Sequence, residues 1–314
     1  MVPRRHYFPQ FMSLDTYDFP DWPAVLTVFS ISTFSSFHAR RSPMERPGLA
    51  HHLILNLFLV VFLVNLPVNA KVSKKGLMIH YSFDKQTIAG KDIKDLSGNK
   101  NHGLIKGKQK TVKGKVGDGM DFAGAAPDYI SVRDHHYSKA NIKEFSIMAW
   151  VKSPSRGMIA SWDRSEFFRF GVGDDQLGNN DFIAFDTCCG IHDWHGKKKV
   201  TDDKWHHVVA SYDGKKKYIY VDGKLDAEVS SPHKVMGKAI TRYGFIGVGS
   251  EAGAFDAATG PNWAFKGIMD EFFLYHRAIT AKEVSHLATG PANPFAVDAK
   301  SKLTLSWAQL KDER

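Results

Sequence analysis

Cysteine is scarce in this sequence. Two cysteines occur among 314 residues, and they are neighbours, Cys188 and Cys189. This count excludes a disulfide-dense scaffold and a zinc site with four thiolate ligands. Adjacent cysteines can close only a small, strained ring, and strained disulfides are labile. In an exported protein we expect that bond, or a link between two chains, rather than free thiols.

Motifs that mark many catalytic and nucleic-acid-binding proteins are also missing. There is no serine nucleophile elbow, phosphate-binding loop or zinc-protease motif. The formal charge is +9, and much of it lies in lysine runs such as Lys197–Lys199 and Lys215–Lys217. Such runs usually belong to solvated loops. We therefore expect no nucleic-acid partner, and association with an acidic polymer is the minority interpretation.

One long apolar run, Leu53–Leu66, is too short to cross a bilayer comfortably, because a spanning helix needs about 20 residues. It resembles the apolar core of a secretory signal, with small residues before a cleavage site at Lys71. The alternative is an uncleaved anchor helix at residues 49–68. Both interpretations predict an exported remainder, either secreted or at the cell surface, with membrane contact only through this segment.

The position of this run also predicts the domain boundaries. Secretory signals begin close to the amino terminus, so we interpret Met44 as the true start. The chain then divides into a non-native or disordered extension (1–43), a signal segment (44–70), one folded domain (71–290), and a linker with a carboxy-terminal helix (291–314).

Short alternations of apolar and polar residues, separated by turn residues, predict an all-β domain from Leu77 onward. Two Asp-Gly pairs give the strongest local signal, because both central residues of a type I′ turn need positive φ. Asp213-Gly214 predicts a longer loop, and Asp222-Gly223 predicts a tight hairpin. Turn signals every eight to twelve residues indicate an antiparallel β-sandwich or jelly roll rather than a parallel sheet.

Two short helices are predicted after the last strand. Thr280 and Glu283 have the spacing of a capping box, in which each residue bonds to the backbone N–H of the other. Gly290 and Pro291 end this helix. Leu303, Trp307 and Leu310 fall on one face of a second helix, which would dock on the sandwich or on a partner.

Several motifs occur in a characteristic order. They are DLSGNKNHG (95–103), VGDGMDFAG (116–124), DYISV (128–132), FSIMAWV (145–151), WHHVVASYDG (205–214), VDGK (221–224) and GIMDEFFLYHRA (267–278). Together they resemble the laminin-G-like, concanavalin A-like lectin/glucanase jelly-roll family over residues 77–289. Met148 departs from the family pattern, which has an acidic residue there. The resemblance implies the sandwich fold but no single function, since this fold hosts lectins, adhesion modules and hydrolases.

The resemblance also implies one structural Ca²⁺ where the first strand meets the last. By the motif match, Asp84 and Asn99 would lie near Asp270. Hard oxygen donors crowd the first loop, and Ca²⁺ prefers about six to eight oxygen ligands. The alternative is a loop of Asx turns without an ion.

Two loops combine polar and aromatic residues that could contact a ligand. The segment Phe185–His195 places an acid, two histidines and an aromatic around the cysteine pair, and Trp162–Arg164 offers a similar mixture. The predicted ligand-binding residues are Trp162, Asp163, Arg164, Asp186, His192 and Trp194. The alternative is an ordinary loop pinned by a disulfide.

These features predict an exported, non-enzymatic recognition or adhesion module that binds carbohydrate or a glycosylated surface. The rival is a glycoside hydrolase, whose retaining form needs two carboxylates about 5 Å apart. Glucanases of the resembled fold supply them as E-x-D-x-(x)-E, and no such string occurs here. A third interpretation is a purely structural envelope or matrix protein whose tail, Val297–Arg314, contacts a partner.

Overall fold

The structure is a computed structural model that describes residues 72–163, 165–173, 181–257 and 263–295. The predictions for residues 1–70, for Arg164 and for the second carboxy-terminal helix lie outside these ranges. No helix within them is both long enough and apolar enough to cross a membrane.

The described chain consists mainly of short strands. In chain order they are β1 (Leu77–Tyr81), β2 (Ile88–Ala89), β3 (Asp92–Ile93), β4 (Gly103–Lys106), β5 (Lys110–Lys113), β6 (Asp118–Ala123), β7 (Tyr129–Tyr137), β8 (Phe145–Lys152), β9 (Gly157–Ser161), β10 (Phe168–Val172), β11 (Ile183–Thr187), β12 (Trp205–Tyr212), β13 (Lys216–Val221), β14 (Lys224–Ser230), β15 (Arg242–Ile246) and β16 (Lys266–Tyr275), followed by helix α1 (Ala281–Leu287).

The strands form two eight-stranded sheets. Sheet I has the order β14-β13-β12-β8-β16-β6-β5, and β1 also pairs with β16. Sheet II has the order β11-β10-β9-β15-β7-β4-β3-β2. The strand pairs within both sheets are antiparallel, and the sheets pack face to face. The predicted antiparallel β-sandwich is therefore confirmed.

The core lies between the sheets because alternate residues of each strand point inward. Phe145 and Ile147 of β8 meet Phe168 and Phe170 of β10 in one continuous apolar cluster. Trp162, which follows β9, belongs to the same cluster and is fully buried.

The local signals identified in the sequence form as predicted. Asp222 and Gly223 both have positive φ, 53° and 80°, in the two-residue turn between β13 and β14. Thr280 and Glu283 form the predicted capping box at the start of α1. Val284 and Leu287 of α1 pack with residues of sheet I in a second apolar cluster.

Candidate functional site

A buried ion pair lies on the outer face of sheet II. Arg169 of β10 is flanked by Phe168 and Phe170, which point into the core, so its side chain points to the opposite face. Asp186 is its cross-strand partner on β11. Arg169 Nε donates a hydrogen bond to Asp186 Oδ2 at 2.6 Å, and the two residues are 7% and 0% exposed. This pair fixes the position of each charged side chain.

Two loops converge on this ion pair. From the β15–β16 connection, the Trp263 ring lies 4.4 Å from the Arg169 guanidinium carbon, a cation–π contact. From the loop after β11, the backbone N–H of Trp194 donates to Asp186 Oδ1 at 3.1 Å. Asp193 Oδ1 lies 3.8 Å from an Arg169 terminal nitrogen. Arg169 and Asp186 therefore position both loops over the sheet.

A pocket opens beside these contacts. Its volume is about 240 Å³, and it is lined by Ser155, Arg156, Gly157, Met158, Val172, Gly173 and Trp263. Met158 N–H donates to the Trp263 carbonyl at 2.6 Å, which holds the tryptophan at the start of β9. The Trp263 ring is partly exposed, so it forms an aromatic wall. None of the described residues lining this pocket is a carboxylate.

Lys217 supports the loop after β11 from below. It is fully buried, although the lysine run to which it belongs was predicted to be a solvated loop. Its Nζ donates to the Ile191 carbonyl at 2.8 Å and lies 4.8 Å from the Phe185 ring centre and 5.6 Å from that of Trp194. Burial lowers the pKa of Lys217 to about 7, although nearby Asp186 and Asp193 act in the opposite direction.

The two cysteines lie in the same loop. Cys188 and Cys189 are joined to each other by a disulfide. Both residues are partly exposed and pack against the edge of the core. The Gly237 N–H donates to Cys188 Sγ at 3.2 Å. The sequence left open a bond between these neighbouring cysteines or a link between two chains, and the structure contains the bond between neighbours.

The structure brings some of the predicted ligand-binding residues to this site and not others. Asp186 and Trp194 are at the ion pair, and His192 is exposed on the same loop. Trp162 has no exposed surface with which to contact a ligand, because its ring packs into the core beside Gly244. A Cβ atom on Gly244 would lie 2.1 Å from that ring. Asp163 is 4% exposed and accepts a hydrogen bond from Arg242.

Three residues that support the site were not singled out from the sequence: Arg169, Lys217 and Trp263. Arg169 interrupts an otherwise apolar run, Phe167–Val172, and Lys217 alternates in register with Ile219 and Val221. A charged residue at a core-facing or strand-centre position is the signal that could have identified the first two. Trp263 lies in a connection, where the sequence pattern carries no comparable signal.

Two of the predicted calcium ligands approach a single turn, residues 114–117 between β5 and β6. Asp84 Oδ1 accepts a hydrogen bond from the N–H of Asp118, immediately after the turn, at 2.9 Å. Asp270 Oδ2 accepts two backbone N–H groups of the turn at 2.8 Å each. Gly117 adopts a φ of +67°, and a Cβ there would lie 2.2 Å from Asp84 Oδ1. The two carboxylates thus approach the same turn from different parts of the chain, Asp84 from the segment after β1 and Asp270 from β16.

Asn99 lies at the other end of β1. Its Nδ2 donates to the Leu77 carbonyl at 2.7 Å, at the first residue of β1, whereas Asp84 follows the last. The loop around Asn99 is organised by Asp95, whose carboxylate accepts backbone N–H groups of His80 and Ser97, among others. This is the arrangement of an Asx turn, the alternative considered for this loop. The structure therefore does not bring Asn99 to Asp84 and Asp270.

One carboxylate oxygen beside the 114–117 turn is free to bind a cation. Asp270 is completely buried, and its Oδ1 has no hydrogen-bond partner among the described residues. Burial raises the pKa of Asp270 to about 7. An orphaned carboxylate oxygen is a ligand that a hard cation such as Ca²⁺ would satisfy. No group of three or more His, Cys, Asp or Glu side chains within the described ranges is arranged to hold a metal ion.

Comparison with known proteins supports the architecture. Residues 124–285, just over half of the chain, match the family model of the concanavalin A-like lectin/glucanases superfamily. Domain 4 of a GH43 extracellular arabinanase from Geobacillus stearothermophilus, solved in complex with arabinotriose, has a TM-score of 0.51 and 20% sequence identity. That match covers 69% of this chain and 100% of the domain.

A second similar structure is the binding domain of Paraclostridial Mosquitocidal Protein 1, with a TM-score of 0.51 and 15% identity. The match covers 69% of this chain and 52% of the other, so this chain spans about half of that protein's length. At these identities the likeness shows the fold alone. No curated protein sequence matches this chain.

Proposed function

Because this chain belongs to the concanavalin A-like lectin/glucanase superfamily, we propose that it is a non-enzymatic recognition module that binds carbohydrate or a glycosylated surface. The proposed binding site is the pocket on the outer face of sheet II. The observation that carries the proposal is the pocket of about 240 Å³ with Trp263 as its wall, held in place by Arg169. The arabinanase domain solved with arabinotriose supports it, because that domain has a similar fold.

The chemistry of the pocket suits a sugar. A sugar ring presents C–H groups to an aromatic face and hydroxyl groups to polar side chains, and Trp263 offers such a face. Ser155 and Arg156 supply hydrogen-bond donors at the rim. Binding sites of this kind combine apolar walls with a few placed polar groups.

The described lining of this pocket does not favour hydrolysis. Glycoside hydrolysis needs an acid and a second carboxylate on either side of the scissile bond. Among the described residues, Asp186 and Asp193 face Arg169, and Asp186 is fully buried in its ion pair. Neither is among the residues that line the pocket. We therefore place binding ahead of catalysis.

Replacement of Trp263 tests the site. We expect Trp263→Ala to weaken sugar binding about tenfold, because an aromatic stack contributes about 0.5–1.5 kcal/mol beyond its buried area. The measurement is a glycan array followed by calorimetric titration of the best oligosaccharide. Trp205→Ala, a partly exposed tryptophan of sheet I, is the matched control and should bind normally. Equal losses in both variants would contradict the proposed site, and release of shorter sugars would favour the hydrolase.

We also propose that Asp84 and Asp270 hold a structural Ca²⁺, with backbone carbonyls and water as the remaining ligands. The ion would neutralise two carboxylates beside the 114–117 turn and satisfy the orphaned oxygen of Asp270. Asn99 is left out of this ligand set because it lies at the opposite end of β1.

Thermal unfolding with EDTA and with added Ca²⁺ tests this proposal. At a Ca²⁺ concentration of about one hundred times Kd, the gain in stability should be about 2.7 kcal/mol. We expect the gain to disappear in Asp84→Asn and Asp270→Asn and to persist in Asn99→Ala. A wild-type protein that melts at the same temperature in EDTA and in Ca²⁺ would rule the site out.

Finally, we propose that the protein acts outside the cell. The support is the apolar run Leu53–Leu66 followed by small residues before Lys71, which is typical of a cleaved secretory signal. Amino-terminal sequencing of the protein recovered from the medium should begin at Lys71.

A further inference from the structure

The disulfide lies in the loop that contacts the ion pair beside the proposed binding site. This loop, residues 188–194, begins with Cys188 and Cys189 and ends with Asp193 and Trp194, which contact the ion pair on sheet II. Both cysteines are partly exposed, so a small thiol can reach them. The chain thus places its two cysteines within a few residues of groups that contact Arg169 and Asp186, and Arg169 in turn contacts Trp263, the wall of the pocket.

Contacts with β13 and with the residue that follows β14 hold the middle of the loop. Ile191 N–H donates to Ser231 Oγ at 2.9 Å, and Lys217 Nζ donates to the Ile191 carbonyl at 2.8 Å. Gly190 lies so close to Ser231 that a Cβ would be 2.2 Å from its hydroxyl. These contacts can form only when the backbone of residues 189–191 adopts one particular conformation. The ring formed by Cys188 and Cys189 restricts the backbone torsions of these two residues, which directly precede Gly190.

We propose that the Cys188–Cys189 bond is a redox switch for the binding site: the oxidised ring holds the loop over Arg169 and Asp186, and reduction releases it. This inference rests on the proposed function, since the site it regulates is the proposed sugar site. The co-reactant is a dithiol, either a small molecule or a protein with two neighbouring thiols.

The exchange is balanced. One thiolate of the dithiol attacks a cysteine sulfur, breaking the bond between Cys188 and Cys189 and forming a mixed disulfide. The second thiolate of the dithiol then displaces that cysteine. Two electrons and two protons pass to the protein, giving two cysteine thiols, and the dithiol becomes a disulfide. Opening the ring restores torsional freedom to the backbone of both residues, so the closed loop must then be ordered at an entropic cost.

The test compares the full protein in its oxidised form with the same protein after treatment with dithiothreitol. Hydrogen–deuterium exchange of residues 187–195 is one readout, and an array of plant, bacterial and animal oligosaccharides is the other. We expect reduction to accelerate exchange in this segment and to weaken sugar binding about tenfold. The double variant Cys188→Ser with Cys189→Ser should resemble the reduced protein in both readouts and should not respond to dithiothreitol.

The outcomes separate this switch from the proposed function. If dithiothreitol leaves exchange or sugar binding unchanged in a protein that binds the array, the switch is overturned and the binding site stands. If exchange accelerates on reduction but no sugar binds in either state, the proposed function is overturned and the redox response of the loop stands. Unchanged exchange without sugar binding overturns both.

Discussion

The protein is expected to become more stable as the pH rises from about 7 to about 10, because of Lys217. Burial lowers the pKa of this lysine from 10.5 to about 7 in the folded protein. In the unfolded chain the ordinary value returns, so between these pH values the unfolded state binds one proton more than the folded state. Stability then rises with pH, by on the order of 4 kcal/mol across the whole window.

Comparison with a methionine variant isolates this contribution. Lys217→Met removes the titrating group while keeping most of the buried length, so its stability should lack the rise. The free energies of unfolding of both proteins, measured with a denaturant between pH 6 and pH 10.5, should differ most at pH 6. Lys215→Met replaces an exposed lysine two residues earlier and should keep the wild-type profile. Parallel profiles for wild type and Lys217→Met would show that the buried ammonium is not the cause.

The second large effect is expected at Trp162. Trp162→Ala should lower the free energy of unfolding by about 3–5 kcal/mol, because the removal of a large buried ring leaves a cavity. The ring is 0% exposed and lies 5.3 Å from that of Phe168 and 6.0 Å from that of His135. Denaturant unfolding measures the loss, and sugar affinity below the unfolding transition should stay at the wild-type value.

This experiment also separates two interpretations of the same residue. The sequence placed Trp162 in a ligand-binding set, whereas the structure places it in the core. Trp205→Ala, which removes a partly exposed ring, should lose less stability than Trp162→Ala. A variant of Trp162 that keeps its stability and loses sugar affinity would restore the first interpretation.

Features that depend on a few neighbouring residues could be predicted from the sequence. The Asp222-Gly223 turn forms because both residues adopt positive φ, and α1 begins directly after its N-cap Thr280 because the capping box lies within one helical turn. The sandwich followed from the strand pattern and from the order of the family motifs. These signals are local, or they repeat along the chain, so no knowledge of distant contacts is needed.

The candidate site depends on contacts that the sequence does not encode locally. Arg169 and Asp186 meet because β10 and β11 pair in one register, and Trp263 arrives from a connection almost a hundred residues later. The burial of Lys217 was missed for a different reason. Its alternation with Ile219 and Val221 points to the core, but its place in a run of charged residues led to the interpretation of a solvated loop. Burial of a charge is decided by tertiary contacts, here with Ile191 and two aromatic rings.

The position of β16 in sheet I determines the order in which the molecule can fold. This last strand pairs with β8 along one edge, and with β6 and then β1 along the other, so it joins the earliest and central strands. Leu77 finds its partner Tyr275 about 200 residues later, and such distant pairings slow folding. A chain still being synthesised therefore cannot complete sheet I until β16 has emerged from the ribosome. Until then β1, β6 and β8 each lack the partner that pairs with one of their edges, and unpaired strand edges expose a folding chain to aggregation.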